Sequence, residues 1–197
     1  MIESNYRDLG NTVVLLISGK AGTGKSFSCA LLQILAYDLG FLDCITASFA
    51  KELKRIAEYV FHWDGAKDDG GRKLLQDLGR VARDYNKDFW ADYLLNEIQN
   101  HPVLYDFVFI DDWHFPNEAK YFKENSDFII KTVRISSPER EMLRGTEAYN
   151  DVSETSLSDN PKDYDYFVDN SKDRSELILE LSKIFASIIK ETEEQYV

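Results

Sequence analysis

The first sustained apolar run, V-V-L-L-I at residues 13–17, contains no polar position. A short β-branched run of this kind predicts a strand buried on both faces. From Phe27 the spacing turns helical, F-S-C-A-L-L-Q-I-L-A-Y, and Leu39-Gly40 supplies the stop. Residues 41–47 then read as a second strand, and the polar residues 1–10 as a lead-in without a function. Strand, helix and strand in so little chain imply a βαβ unit, hence parallel strands with helices on both faces.

Between residues 48 and 100 the alternation of strands stops, and helical spacing recurs at 49–60, 71–83 and 88–100. Residues 63–71 between the first two, W-D-G-A-K-D-D-G-G, predict a loop able to flex. Further strands are expected at 103–110, 127–135 and 164–168, with a short helix at 116–123 and another opening at Pro138. Residues 146–163 carry no periodicity and read as a mobile acidic loop. An amphipathic helix at 173–190 closes the chain, and residues 191–197 are expected to fray. The expected fold is α/β, a P-loop NTPase-type parallel sheet of about five strands with helices on both faces. One domain is divided into a core (1–47, 102–135, 164–197), a helical insertion (48–101) and a lid (136–163).

At 197 residues and 44% hydrophobic the chain can bury one substantial core, not two. A net charge of −12 argues against a nucleic-acid partner, which would be held through a basic face. Cys29 and Cys44 are too few for a disulfide framework and read as buried thiols. With no signal-peptide pattern and no membrane-length apolar run, the expectation is a cytoplasmic protein without a membrane partner.

The chemistry is carried by G-K-A-G-T-G-K-S at residues 19–26, a P-loop placed between the first strand and the first helix. Its glycines let successive N–H groups face one point, at the N-terminus of a helix, where a phosphate can sit. Gly19, Ala21, Gly22, Thr23, Gly24, Lys25, Ser26 and the following Phe27 are therefore the candidate ATP-binding residues. Lys25 would reach the β- and γ-phosphates, and the Ser26 hydroxyl would ligate Mg²⁺. Asp111, at the end of an apolar strand, is placed as a Walker B acid for that ion, with Asp112 as a turn residue or a contact to the phosphate acceptor.

Arg140 and Arg144, at i and i+4 after Pro138, would share one helix face and clamp a transferring phosphoryl group. The competing assignment pairs them with Glu139, Glu141 or Glu147. Likewise Lys51, Lys54, Arg72, Arg80 and Arg83 are either part of an acceptor-binding lobe, which small-molecule P-loop kinases keep in this position, or solvated helix faces.

The P-loop is followed, in order, by F-A-K-E-L-K at 49–54, G-R-K-L-L-Q-D-L-G at 71–79 and F-W at 89–90. D-D-W-H-F-P-N-E at 111–118 and S-E-T-S-L at 153–157 come next. Together these blocks resemble phage-type deoxynucleoside monophosphate kinases over nearly the whole chain. The resemblance implies ATP-dependent, Mg²⁺-assisted phosphorylation of a deoxynucleoside 5′-monophosphate, in a host cytoplasm if the protein is viral, and it leaves a homodimer open. By that likeness Lys54, Arg72, Gln76, Arg83 and Trp90 would contact the acceptor, and Arg140 and Arg144 would be lid arginines. Family members commonly carry D-V-R-F-P-N-E where this chain has D-W-H-F-P-N-E, so His114 stands where an arginine is expected to meet the acceptor phosphate.

Other readings use the same loop. A kinase of another small phosphorylated acceptor, of the phosphomevalonate or dephospho-coenzyme A type, would differ in whether Trp90, Phe89 and Gln76 line a flat slot. A non-catalytic nucleotide-binding module, or a motor ATPase, would show no dependence on an acceptor. Phosphoryl transfer to an anionic phosphate calls for positioned charge and exclusion of water rather than a strong base.

Overall fold

The computed structural model describes residues 7, 9–66 and 68–194, with the side chains of 147 and 148 left aside. Residues 1–6 and 8 of the lead-in, Lys67 of the expected loop, the Glu147 side chain and residues 195–197 of the tail lie outside the described set. The unbroken run after the lead-in becomes β1 (Val13–Ser18), buried at every position. It is the middle of a five-stranded parallel sheet with β2 (Cys44–Ala47), β3 (Phe107–Ile110), β4 (Ile129–Ser136) and β5 (Tyr166–Asp169) in the order β2-β3-β1-β4-β5. Leu15 lies between Phe109 of β3 and Lys131 of β4, which sets the register.

Alternate residues of β1 enter two cores. Val13, Leu15 and Ile17 pack with Phe107, Phe109, Val133 and Ile135 under α1 (Lys25–Asp38) and α7 (Arg174–Glu194). Val14 and Leu16 face the opposite side, with Val108 and Ile110, under α2 (Lys51–Phe61), α4 (Phe89–Gln99) and α5 (Pro116–Asn125). The helix α3 (Asp69–Tyr85) packs on α2 and α4, starting where the Asp68 carboxylate accepts the Gly71 N–H at 2.7 Å. Among the described residues no helix is long and apolar enough to cross a membrane. Cys29 and Cys44 are both free thiols.

The strands are shorter than the apolar runs suggest. In residues 103–110 only the last four pair, and Leu104 is 86% exposed. Two larger differences concern the lid. The helix expected after Pro138 is one 3₁₀ turn, Pro138–Arg140, and Glu141 is extended, so Arg140 and Arg144 do not share a helix face. A tertiary contact wins over local preference here: the Met142 N–H donates to the Ala21 carbonyl of the P-loop at 2.9 Å. Residues 146–163 are not irregular either. They form a 3₁₀ turn at Glu147–Asn150, the short helix α6 (Val152–Thr155) and a turn at Pro161–Asp163. Asp151 caps α6, its carboxylate accepting from the Ser153 N–H at 2.9 Å and hydroxyl at 2.6 Å.

Candidate active site

The end of β1 delivers the chain into the P-loop at the C-terminal edge of the sheet, the edge at which open α/β sheets bind ligands. Gly24 caps α1 with φ 101°, and a Cβ there would lie 2.6 Å from the Asn170 Nδ2. Asn170 donates that same Nδ2 to the Thr23 carbonyl at 2.8 Å, so the β5–α7 corner braces the loop from behind. The Thr23 hydroxyl donates to the Lys20 carbonyl at 2.8 Å. Lys25 closes the ring, its ammonium 2.6 Å from the Gly19 carbonyl and 3.1 Å from that of Lys20. Burial lowers its pKa, while Glu154 and Asp111 act in the opposite direction.

Ser26 and Asp111 meet: the hydroxyl donates to Asp111 Oδ2 at 2.6 Å. A hydroxyl and a carboxylate oxygen side by side at the phosphate cradle fit Mg²⁺, which takes one or two protein oxygens and fills its octahedron with water and phosphate. The neighbouring Asp112 does something else. Its Oδ1 accepts the Phe49 N–H at 2.9 Å, and its Oδ2 accepts the Ser48 hydroxyl at 2.7 Å and the Ala50 N–H at 3.0 Å. Asp112 therefore anchors the turn leading into α2, which is the first of the two roles the sequence leaves open for it.

His114 is half-buried between the P-loop and the lid. Its ring is hydrogen-bonded to the Ser153 backbone and faces the charges of Asp112, Lys25 and Glu154, and burial holds its pKa below the usual value. The turn that presents it is fixed by Glu118, which is 5% exposed and accepts the N–H groups of His114 and Phe115, each at 3.0 Å. Burial pushes the Glu118 carboxyl up to about 8, against those two donors and the more distant Arg83.

Arg83 reaches this turn from α3, its guanidinium carbon 4.2 Å from the centre of the Phe115 ring. Gly79 leaves the room: a Cβ there would stand 3.2 Å from one guanidinium nitrogen. Arg80, by contrast, pairs with Asp77 at 2.8 Å on the solvated face of α3, and Lys51 with Glu97 at 3.8 Å. Lys54, Arg72 and Gln76 are half-buried on α2 and α3. Among the described residues the side chains of Lys54, Arg72, Gln76 and Arg83 have no hydrogen bond or ion pair. Trp90 departs from expectation. It is 5% exposed, donates its indole N–H to the Gly79 carbonyl at 3.2 Å and meets Phe89 edge-on, so it is a packing residue between α4 and α3.

Residues 138–154, within the expected lid, lie on the loop. Arg140 donates to Asn170 Oδ1 at 3.2 Å and to the Lys172 carbonyl at 2.9 Å, whereas Arg144 donates to the Pro138 carbonyl at 3.2 Å. Three residues at the site are given no role by the sequence. Asn170 is one polar residue after an apolar strand, Glu154 is one acid within the S-E-T-S-L block, and Arg134 is one of two cations in β4, with Lys131. Arg134 is 4% exposed and pairs with Asp159 of the lid.

No family model matches the chain, and no curated protein matches it. Solved structures do. The crystal structure of APE1195 aligns with a TM-score of 0.51 at 12% identity, over 93% of this chain and 99% of that one. The gluconokinase from Sinorhizobium meliloti 1021 aligns at 0.48 and 15%, over 96% and 99%. The Cys556Ala mutant of the Mycobacterium tuberculosis APS kinase CysC aligns at 0.47 and 12%, over 91% and 98%. At these identities the likeness is one of fold.

Proposed function

We propose that the chain is an ATP-dependent phosphotransferase whose acceptor is a deoxynucleoside 5′-monophosphate. The observation that carries the phosphotransferase reading is the P-loop ring with Ser26 bonded to Asp111 at its mouth, since this pairing puts a metal-ready oxygen pair beside an anion cradle. Lys25 would turn from its two loop carbonyls to the β- and γ-phosphates, and Asn170 would keep the loop in shape as it did so. Ser26 and Asp111 would hold Mg²⁺, which would supply charge neutralisation at those phosphates. The helical insertion 48–101 is the acceptor lobe in this reading. Its support is the half-buried Arg83 on Phe115, which with Lys54, Arg72 and Gln76 of the same insertion has no hydrogen bond or ion pair among the described residues. Residues 136–163 act as the lid that excludes water, with Arg140 and Arg144 as its cations.

One observation favours a second reading, a kinase of a different phosphorylated acceptor: Trp90, expected to wall a base-sized slot, is packed away in the core. A coupled assay of ADP release with each common nucleoside and deoxynucleoside monophosphate, phosphomevalonate and dephospho-coenzyme A separates the two. The proposal expects a deoxynucleotide to exceed the non-nucleotide acceptors in kcat/KM by about 10² or more, the discrimination that differential contacts supply. Higher turnover with a non-nucleotide acceptor would install the second reading, and ADP release independent of any acceptor would end both.

A further inference from the structure

The lid enters the phosphate cradle with a carboxylate. Glu154 Oε2 accepts the Ala21 N–H at 3.0 Å, and Glu154 is the foremost negative charge acting on Lys25. It acts on His114 as well, whose ring is bonded to the backbone of the adjacent Ser153. Other contacts press the same segment onto the same loop. The Met142 N–H is on the Ala21 carbonyl at 2.9 Å, and the Lys20 ammonium sits 4.4 Å from the centre of the Tyr149 ring. At Gly22 even a Cβ would come within 2.3 Å of the Arg140 carbonyl oxygen.

An anionic oxygen on a backbone N–H of a glycine-rich loop, beside the loop's lysine, occupies the place a phosphate oxygen takes there. The Ala21 N–H cannot serve both at full strength, and two anions beside Lys25 repel each other. We infer that the Glu154 carboxylate is the resting occupant of the phosphate cradle, and that the terminal phosphate of a nucleoside triphosphate displaces it, so that nucleotide binding and lid release are one competition. This rests on the phosphotransferase reading. It also gives the lid a cause for moving, because a ligand shifts an equilibrium only through a difference in affinity for its two states. While the carboxylate is seated, the apparent affinity for nucleotide is reduced by the fraction of molecules whose cradle is free.

The test is calorimetric titration of Mg²⁺·AMPPNP into the wild type, Glu154→Gln and Glu154→Ala, together with amide hydrogen exchange at Ala21 and over residues 138–158 without nucleotide. Gln keeps the size of the side chain and removes its charge; Ala removes the acceptor as well. Both variants are expected to bind nucleotide about tenfold tighter or more, with Ala at least equal to Gln. The lid and the Ala21 amide are expected to exchange faster in Glu154→Ala than in the wild type. Nucleotide binding that is firm in the wild type and unchanged or weaker in both variants would overturn the competition while leaving the phosphotransferase reading in place; a weaker affinity would mean Glu154 helps hold ligand. Exchange that is unchanged in Glu154→Ala would overturn it too. If neither the wild type nor either variant binds nucleotide, the phosphotransferase reading itself is lost, and the competition with it.

Discussion

Lys25 closes its own loop in this structure, so its ammonium is already desolvated and set next to the site where phosphates would lie. Replacing it with Met removes the charge while retaining most of the aliphatic length. Turnover is expected to fall by about 10³ or more, as when a preorganised electrostatic contact is lost. The thermal midpoint should change little, because the loop keeps its Thr23 and Asn170 bonds. Activity retained within about tenfold would exclude the charge-stabilising role. Glu118 gives a pH-dependent prediction. Its folded pKa is raised to about 8 by burial, above the ordinary 4.5, so the folded state holds a proton that the unfolded chain releases. That contribution is complete below pH 4.5 and is lost as pH rises through about 8. Glu118→Gln, which can still accept from His114 and Phe115, should therefore gain stability relative to the wild type as pH rises across that window. Parallel denaturation midpoints from pH 5 to 9 would show that Glu118 is not held protonated. At His114, whose pKa is depressed, the ring is neutral near pH 7 and its hydrogen bond goes to the Ser153 backbone, so an acceptor phosphate would meet no cation there. His114→Arg should lower the acceptor KM and leave the KM for ATP in place; an unchanged acceptor KM would take this residue out of the acceptor site.

The elements divide into those whose sequence pattern is self-sufficient and those shaped by a distant partner. The strand β1 and the three helices of the insertion were legible because burial on both faces and helical spacing are local signatures. The P-loop, too, was legible, since its glycines are demanded by backbone geometry. The segment after Pro138 was not: a helix there would have to give up the Met142 bond to Ala21, which lies 121 positions earlier in the chain. Trp90 shows the same limit from the other side. An aromatic in an amphipathic helix reads alike whether it faces a ligand or the core, and the Gly79 carbonyl decides between them. The two adjacent acids after β3 were likewise ambiguous in sequence, and their hydrogen bonds separate them, Asp111 to Ser26 and Asp112 to the start of α2. Asp112→Ala would leave two backbone N–H groups without their acceptor. A destabilisation of about 1–3 kcal/mol is expected, read as a lower urea midpoint at unchanged m-value. A midpoint equal to the wild type would mean that water replaces the carboxylate without loss.

At the scale of the molecule, the lid is tied to the body in two places by different chemistry. One part is held at the P-loop, through Met142 and Glu154, and at the β5–α7 corner behind it, through Arg140. The other is held at β4, where Arg134, with its side chain 5% exposed, pairs with Asp159, 73% exposed, and lies 5.8 Å from the centre of the Tyr164 ring. An exposed ion pair contributes little, but a buried guanidinium that loses its carboxylate is costly, and here the two halves of one pair fall in different regimes. The cheap way to hydrate Arg134 after Asp159→Asn is to move the lid aside, because that requires no breakage of the sheet. The cost of the substitution is therefore capped by the free energy of opening the lid. Asp159→Asn should increase proteolytic cleavage and amide exchange within residues 138–163 several-fold while the urea midpoint of global unfolding stays within about 0.5 kcal/mol equivalent, as for other surface substitutions. Arg134→Met, which removes the charge that needs hydrating, should restore a protected lid in the Asp159→Asn background. A lowered global midpoint with a lid that remains protected would show instead that Arg134 and Asp159 hold the core rather than the lid.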